Sequence, residues 1–176
     1  MASAITISVF VFWVLCTIPG VLLADHDDGI TATIFFPLCS LLAFYNIAFR
    51  MGPAIFNHSV KDDRKVTYAD LLVSIVVWVL SVGNLLFLVW VHDREQSFLG
   101  LESASVSRAW LRLNFSSILL SCGIGQGVSV ASSLEAEGVL AYLAAITYAF
   151  VAVYVGGVGV AVYRAAIQQK DVLYSK

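Results

Sequence analysis

The stretch from Asn114 to Leu134 reads NFSSILLSCGIGQGVSVASSL and contains no charged residue. Small residues recur in it at every fourth position, in two series. The first series is Ser117, Ser121, Gly125, Ser129 and Ser133, and the second is Gly123, Gly127 and Ala131. Residues four apart lie on one face of a helix, and a face of small residues lets a neighbouring membrane helix pack closely. The stretch therefore predicts a helix that packs against another helix in a membrane.

The composition of the 176-residue chain is typical of a membrane protein. Apolar residues make up 60% and charged residues 12%, and the mean hydropathy is +0.88, whereas soluble domains carry about 25% charged residues. Several apolar runs are long enough to cross a hydrocarbon core about 30 Å thick. We predict an all-α, polytopic transmembrane helical bundle, a single integral membrane domain over residues 1–176 with a polar tail at 164–176. Its membrane segments are about 5–24, 30–50, 67–91, 113–134 and 139–163.

The first segment has some features of a cleaved signal peptide, namely an apolar run followed by small residues. Nothing basic precedes Arg50, however, and signal peptides begin with a positively charged region. We therefore expect residues 1–24 to be retained as the first span. The sequon at Asn57 could carry a glycan only if the loop 51–66 faces a lumen or the exterior.

The distribution of basic residues leaves two topologies open. They form three groups: four in the first long loop, three between segments three and four, and three in the tail. These groups are Arg50, Lys61, Arg64 and Lys65; Arg94, Arg108 and Arg112; and Arg164, Lys170 and Lys176. With five crossings and the N-terminus outside, the inside holds the second and third groups, six residues against four. With four crossings and a re-entrant segment at 113–134, the inside holds the first and third groups, seven against three.

The second topology has the stronger excess of basic residues on the cytoplasmic side. A re-entrant loop, however, does not require small residues at every fourth position, whereas a packed helix does. We therefore predict five crossings, with four crossings as the alternative.

Polar residues within the segments are few. The amides Asn46, Asn84, Asn114 and Gln126 either hydrogen-bond within the bundle or line a polar pore. Trp90 and Trp110 are expected at the membrane interface, where indole rings are enriched. Asp70 is expected at the end of its segment, in the first turn and at the positive end of the helix.

Two loops carry residues that could bind a metal. The loops after segments one and three lie on the same side, because two crossings separate them. Carboxylates beside imidazoles can coordinate divalent cations, and the simpler interpretation is two unrelated acidic loops. The candidate metal ligands are Asp25, His26, Asp28, His92 and Asp93.

Several classes of function are disfavoured. A net charge of −2 does not suit a nucleic-acid partner. Ionisable residues are almost absent from the spans, where a membrane enzyme would need them, and no catalytic motif or cofactor signature is present. We therefore predict no enzymatic activity and no cofactor, with a membrane enzyme that acts at the interface through the histidines and aspartates of the two loops as the alternative. Gly123, Gly125 and Gly127 alternate as in a potassium filter, but the rest of that motif is missing.

The remaining hypothesis is a non-enzymatic protein that assembles through its helices, as a subunit or scaffold of a membrane complex. Its partners would be the lipid bilayer and other membrane helices, in a homo-oligomer or a larger complex. The alternative is an oligomeric channel or small-solute pore lined by the fourth segment. The predicted helix-packing residues are Ser117, Ser121, Gly123, Gly125, Gly127, Ser129, Ala152, Gly156 and Gly157.

Overall fold

The computed structural model describes residues 4–26, 29–47, 68–122, 131–134, 136–148 and 152. These ranges contain five helices: α1 (Ala4–Leu22), α2 (Ile30–Tyr45), α3 (Tyr68–His92), α4 (Val106–Ser121) and α5 (Ala136–Tyr148). Within the same ranges there is no strand, and the only β-type pairing is one isolated bridge. The all-α prediction is confirmed for the described part of the chain.

Two of these helices are long and apolar enough to cross a membrane. They are α1, with 19 residues, and the 21 residues Leu72–His92 of α3. α2 and α5 are also apolar, but each is described over fewer than 18 residues. By length and composition, the described helices thus supply two membrane spans of the five that the sequence predicts.

α3 is the central helix of the structure. It packs against α4, α2 and α1, and α1 packs against α2. Aromatic rings fill the space beside it: Phe36 of α2 lies 6.1 Å from Phe87 of α3, and Phe87 lies 5.5 Å from Trp90, between ring centroids. All three rings are fully buried. The core therefore surrounds α3, and at this level its large side chains meet α2.

α1 approaches α2 most closely at Gly20. A Cβ atom added there would lie 2.6 Å from Cε1 of Phe36, which is closer than carbon atoms can approach. With any larger residue at position 20, the Phe36 ring or the α1 backbone would have to move. Pro19 precedes Gly20 within α1. The backbone hydrogen bonding continues past Pro19, since the Leu23 N–H donates to the Pro19 carbonyl oxygen at 2.9 Å.

The fourth segment differs from the predicted helix over 113–134 at both ends. α4 begins earlier, at Val106, and ends at Ser121. Ala131 is not helical, and it forms an antiparallel bridge with Phe98, while the Ser132 N–H donates to the Ser97 carbonyl oxygen at 2.9 Å. Phe98 belongs to the connector 93–105 between α3 and α4. Ala131 therefore lies at the end of the bundle where α4 begins, because backbone pairing with the connector replaces helix there.

The surface of the structure is the reverse of that of a soluble protein. Large apolar side chains are exposed along α1 and α2, among them Ile5, Leu15, Ile34, Leu41 and Phe44. Polar side chains are buried inside instead: Thr6, Thr17, Ser40, Asn46, Asp70, Ser74, Ser81, Asn84, Ser97, Asn114, Ser116, Ser117 and Thr147. Contiguous exposed apolar faces of this kind are rare on soluble monomers and match a lipid environment.

Candidate functional site

Asn84 is the centre of the polar interior. Its Nδ2 donates to Thr17 Oγ1 at 2.9 Å, and its Oδ1 accepts a hydrogen bond from Trp110 Nε1 at 2.8 Å. The side chain is fully buried. One amide therefore links α1, α3 and α4, with both of its ends satisfied, as a buried polar group requires. Of the two roles open to Asn84, the structure places it in hydrogen bonds within the bundle.

Trp110 was expected at the membrane interface, and its indole donates to Asn84 in the structure. Trp90, which was expected there too, lies in the last turn of α3. Its indole is fully buried and Nε1 donates to the Leu101 carbonyl oxygen at 3.1 Å. The reason is that the connector 93–105 folds over the end of α3 and covers the ring.

The contact between α3 and α4 is close because of Gly83. A Cβ added to Gly83 would lie 2.7 Å from the Cα of Asn114. The hydroxyl of Ser117 lies one turn further along, 2.9 Å from the Val79 carbonyl oxygen and 2.7 Å from that of Asn114. Ser117 was predicted to pack against another helix, and it is fully buried here. Gly83 was missed, although a glycine within an apolar helix commonly has a packing reason.

Only the nitrogen of the Asn114 side-chain amide forms a hydrogen bond with a described residue. Its Nδ2 donates to the Trp110 carbonyl oxygen at 3.0 Å, within α4. Its Oδ1 is buried and accepts no hydrogen bond from any residue in the described ranges. The side chain lies in the seam between α3 and α4, so it faces the interior of this chain.

A second polar layer lies toward the start of α1 and α3. The Thr6 hydroxyl donates to Asp70 Oδ1 at 2.6 Å, and Asn46 Nδ2 donates to Ser74 Oγ at 3.0 Å. Asp70 lies in the first turn of α3, as predicted, and it is fully buried beside Thr6 of α1. The crevice beside these residues is too narrow for a water molecule. This layer therefore joins helices and offers no room for a substrate.

The loops after α1 and α3 come together, as expected from their common side. Arg94 makes an ion pair with Asp25 at 2.7 Å, and its Nη2 donates to the Ala24 carbonyl oxygen at 3.3 Å. The guanidinium carbon lies 4.8 Å from the centroid of the Trp90 ring. Arg94 thus joins the two loops. The sequence had suggested histidine and carboxylate residues as the functional groups of these loops, and the role of an arginine was not predicted.

The candidate metal ligands have other partners in the structure. His92 Nε2 lies 2.9 Å from the hydroxyl of Thr33, and Asp93 Oδ1 accepts a hydrogen bond from the Gln96 N–H at 3.3 Å. His26 is exposed, and Asp28 lies outside the described residues. Within the described ranges no three His, Cys, Asp or Glu residues are grouped to hold a metal ion. The complete set of five stays a prediction.

Most of the predicted packing residues lie outside the described ranges. Ser121 is half-buried, and its hydroxyl donates to the Ser117 carbonyl oxygen at 2.7 Å; Ala152 is exposed. The residues outside are Gly123, Gly125, Gly127, Ser129, Gly156 and Gly157, together with the amide Gln126. Their roles stay predictions.

Comparison of the chain with protein-family models, curated proteins and solved structures gave no match. The candidate site is therefore interpreted from its own geometry. That geometry consists mainly of buried hydrogen bonds that join two or three helices.

Proposed function

We propose that this protein is a multi-pass integral membrane protein without enzymatic activity, which acts as a subunit or scaffold of a membrane complex. The carrying observation is that its described exterior is apolar along α1 and α2, whereas its amides and hydroxyls are buried. Asn84, Asn46 and Ser117 form hydrogen bonds to neighbouring helices. Because the polar interior is occupied in holding the helices together, the protein acts through its outer helix faces.

We infer four crossings and a re-entrant α4, the alternative topology. Support comes from Ala131 and Ser132, which pair with Phe98 and Ser97 at the end where α4 begins. α4 runs antiparallel to α3 from that end and places Ser117 beside Val79, near the middle of α3. The chain therefore enters along α4 and is back at the same end by residue 131. This topology also has the stronger charge bias, seven basic residues against three.

The position of the first residues of α5 also agrees with the four-crossing topology. Ser133 Oγ accepts a hydrogen bond from the Ala136 N–H at 3.2 Å, which caps the start of α5. Ala136 is fully buried against the core. α5 thus starts at the end of the bundle where α4 starts, and its crossing returns the tail to the side of the loop 51–66.

The positions of two predicted pore-lining residues argue against a pore lined by the fourth segment. Ser117 and Asn114, which would line it, are buried in the α3–α4 seam of a single chain. A second copy of the chain could not use them as a polar lining without opening that seam. Assembly through the outer faces therefore remains the function that we propose.

Two measurements test the proposal. The first is extraction of membranes with alkaline carbonate, in which an integral protein stays in the pellet; release into the supernatant would contradict the proposal.

The second measurement is the native size of the protein in mild detergent. The double substitution Gly125→Leu and Gly127→Leu should reduce the size of the assembly, because bulky side chains in place of these glycines block close approach of a neighbouring chain to this segment. Gly138→Ala serves as the control, since a Cβ there meets no atom within 4 Å. An unchanged size in the leucine variant would contradict assembly through this segment.

A further inference from the structure

An open groove lies on the outer face of α4, close to its first residue. Its volume is about 570 Å³. It combines hydroxyl, guanidinium and apolar side chains, which are contributed by Ser105, Ser107, Arg108, Leu111, Arg112 and Phe115. The groove therefore has a polar half at the start of the helix and an apolar half one turn further along.

The polar half contains two arginines that have no anionic partner among the described residues. Arg108 and Arg112 are four residues apart, on one face of α4, and both are exposed. Neither forms an ion pair or hydrogen bond with a residue in the described ranges. Arg94, by contrast, is paired with Asp25. Two guanidinium groups on one face, each with several donors, form a site of positive charge that is complementary to a phosphate group.

The connector lies beside this half, and its carboxylate at Glu102 forms no ion pair with Arg112. Nη1 of Arg112 lies 3.8 Å from the position that a Cβ of Gly100 would occupy, so the guanidinium extends back toward the connector. The Glu102 carboxylate instead accepts a hydrogen bond from the Gly100 N–H at 3.0 Å. This hydrogen bond lowers the pKa of the Glu102 carboxyl, so that it stays ionised on its own loop.

The apolar half of the groove lies deeper along the same helix. Leu111 is 61% exposed and Phe115 is 66% exposed. The opposite face of α4 is fixed against the core by Ala109 and Leu113, which are fully buried. The exposed face therefore points away from the bundle, with guanidinium groups at the bundle end and apolar side chains toward its middle.

We propose that this groove binds an anionic phospholipid. The phosphate lies between Arg108 and Arg112, with the hydroxyls of Ser105 and Ser107 as further donors, and an acyl chain lies along Leu111 and Phe115. A free phosphate ion would use the polar half alone, whereas an amphiphile matches both halves in the order in which a bilayer presents them. The inference rests on the proposed function in one respect, since α4 must lie in a membrane.

The test uses the full chain in mild detergent, titrated with phosphatidylglycerol or with phosphatidylcholine of identical acyl chains, and bound lipid is counted by native mass spectrometry. Phosphatidylglycerol should bind more tightly. The variant R108Q/R112Q should bind it about 30-fold more weakly, which corresponds to about 1 kcal/mol for each guanidinium–phosphate hydrogen bond that is lost. Its affinity for phosphatidylcholine should not change. The matched variant R108K/R112K keeps the charge and should retain most of the preference.

Two further experiments distinguish binding of a lipid from binding of a free anion. The variant L111S/F115S should weaken binding of phosphatidylglycerol, and inorganic phosphate should compete only at far higher concentration than the lipid. Equal affinity of the wild-type chain for both lipids, or an unchanged affinity in R108Q/R112Q, would overturn the proposal. So would full competition by inorganic phosphate at the lipid's own concentration. Each variant is also extracted with alkaline carbonate: a chain that remains in the membrane without a lipid preference contradicts this inference alone, whereas release of the wild-type chain contradicts the proposed function.

Discussion

At the scale of single residues, Gly83 decides how closely α3 and α4 approach. The Cα of Asn114 occupies the space where a Cβ of residue 83 would lie, at 2.7 Å. Because the conflicting atom belongs to the backbone, it cannot be relieved by a change of rotamer, and the two helices would have to separate. The buried hydrogen bond from Ser117 to the Val79 carbonyl oxygen lies in the same seam and would lengthen with it.

We therefore expect Gly83→Ala to destabilise the protein by at least about 1 kcal/mol, the lower end of the cost of overpacking a core. The free energy of unfolding in detergent, monitored by circular dichroism, measures this loss of stability. Gly138→Ala is the matched control: its Cβ meets no atom within 4 Å, so alanine should be neutral or stabilise α5 by up to about 1 kcal/mol. Equal stability of the two variants would show that the α3–α4 seam has room at residue 83.

Asn84 is the other residue on which several elements depend. Loss of its amide leaves Thr17 Oγ1 and Trp110 Nε1 without the partners that they have in the structure. We expect the pair Thr17→Val and Asn84→Ala, measured singly and together, to give a coupling energy of about 0.6–1.7 kcal/mol, the range found for hydrogen bonds between membrane helices. Ser8→Ala, which removes an exposed hydrogen bond within α1, should leave stability unchanged. Strict additivity of the Thr17 and Asn84 substitutions would mean that the hydrogen bond adds nothing.

At the scale of elements, the two loops at one end of the bundle are joined through Arg94. The guanidinium group contacts the Asp25 carboxylate, the Ala24 carbonyl oxygen and the Trp90 ring. Only the first of these contacts depends on Asp25. The ion pair is partly exposed, and exposed ion pairs contribute about 0–1 kcal/mol, so most of the effect of Arg94 should come from the other contacts.

We accordingly expect Asp25→Asn to cost less than about 1 kcal/mol and Arg94→Ala to cost more, because it also removes a cation–π contact worth about 0.5–1 kcal/mol and the hydrogen bond to Ala24. Thermal unfolding of the two variants in the same detergent compares them. Added salt should reduce the difference between wild type and Asp25→Asn, since the ion pair is screened. If Asp25→Asn cost as much as Arg94→Ala, the ion pair would be the main link between the loops.

At the scale of the whole molecule, the question is on which side of the membrane each connection lies. The pairing of Ala131 with Phe98 places residues 131–134 beside the connector 93–105. Five crossings would place these two stretches on opposite sides of the bilayer. Four crossings and a re-entrant α4 place them on the same side and the loop 51–66 on the other.

Cysteine labelling distinguishes these arrangements. In a Cys122→Ser background, with Cys16 and Cys39 buried, an impermeant maleimide should modify Ser103→Cys and Leu134→Cys from the same side. Both positions are exposed, Leu134 to 85%. Ser59→Cys and Ser175→Cys should react from the opposite side and act as controls for membrane integrity. Reaction of Ser103→Cys and Leu134→Cys from opposite sides would restore the five-crossing topology.

The sequence by itself determined the helical class, the positions of the first three helices and the small number of polar side chains inside them. Hydropathy and helical spacing are properties of one segment at a time, so α1 and α3 agree with their predicted ranges within two residues. The burial of Ser117 also followed from local spacing. The loops after α1 and α3 were expected on one side because topology alone requires it.

Only the tertiary structure decided which groups meet. Thr6 binds Asp70 over a separation of 64 residues, and Asn84 binds Thr17 over 67. The pairing of Phe98 with Ala131 is also long-range, and it places Ala131 outside the helix that the four-residue spacing had extended to residue 134. Such contacts depend on how closely helices pack and on where a connector folds back. No pattern within a single segment carries that information, because the partner's position is set by the packing of all the helices together.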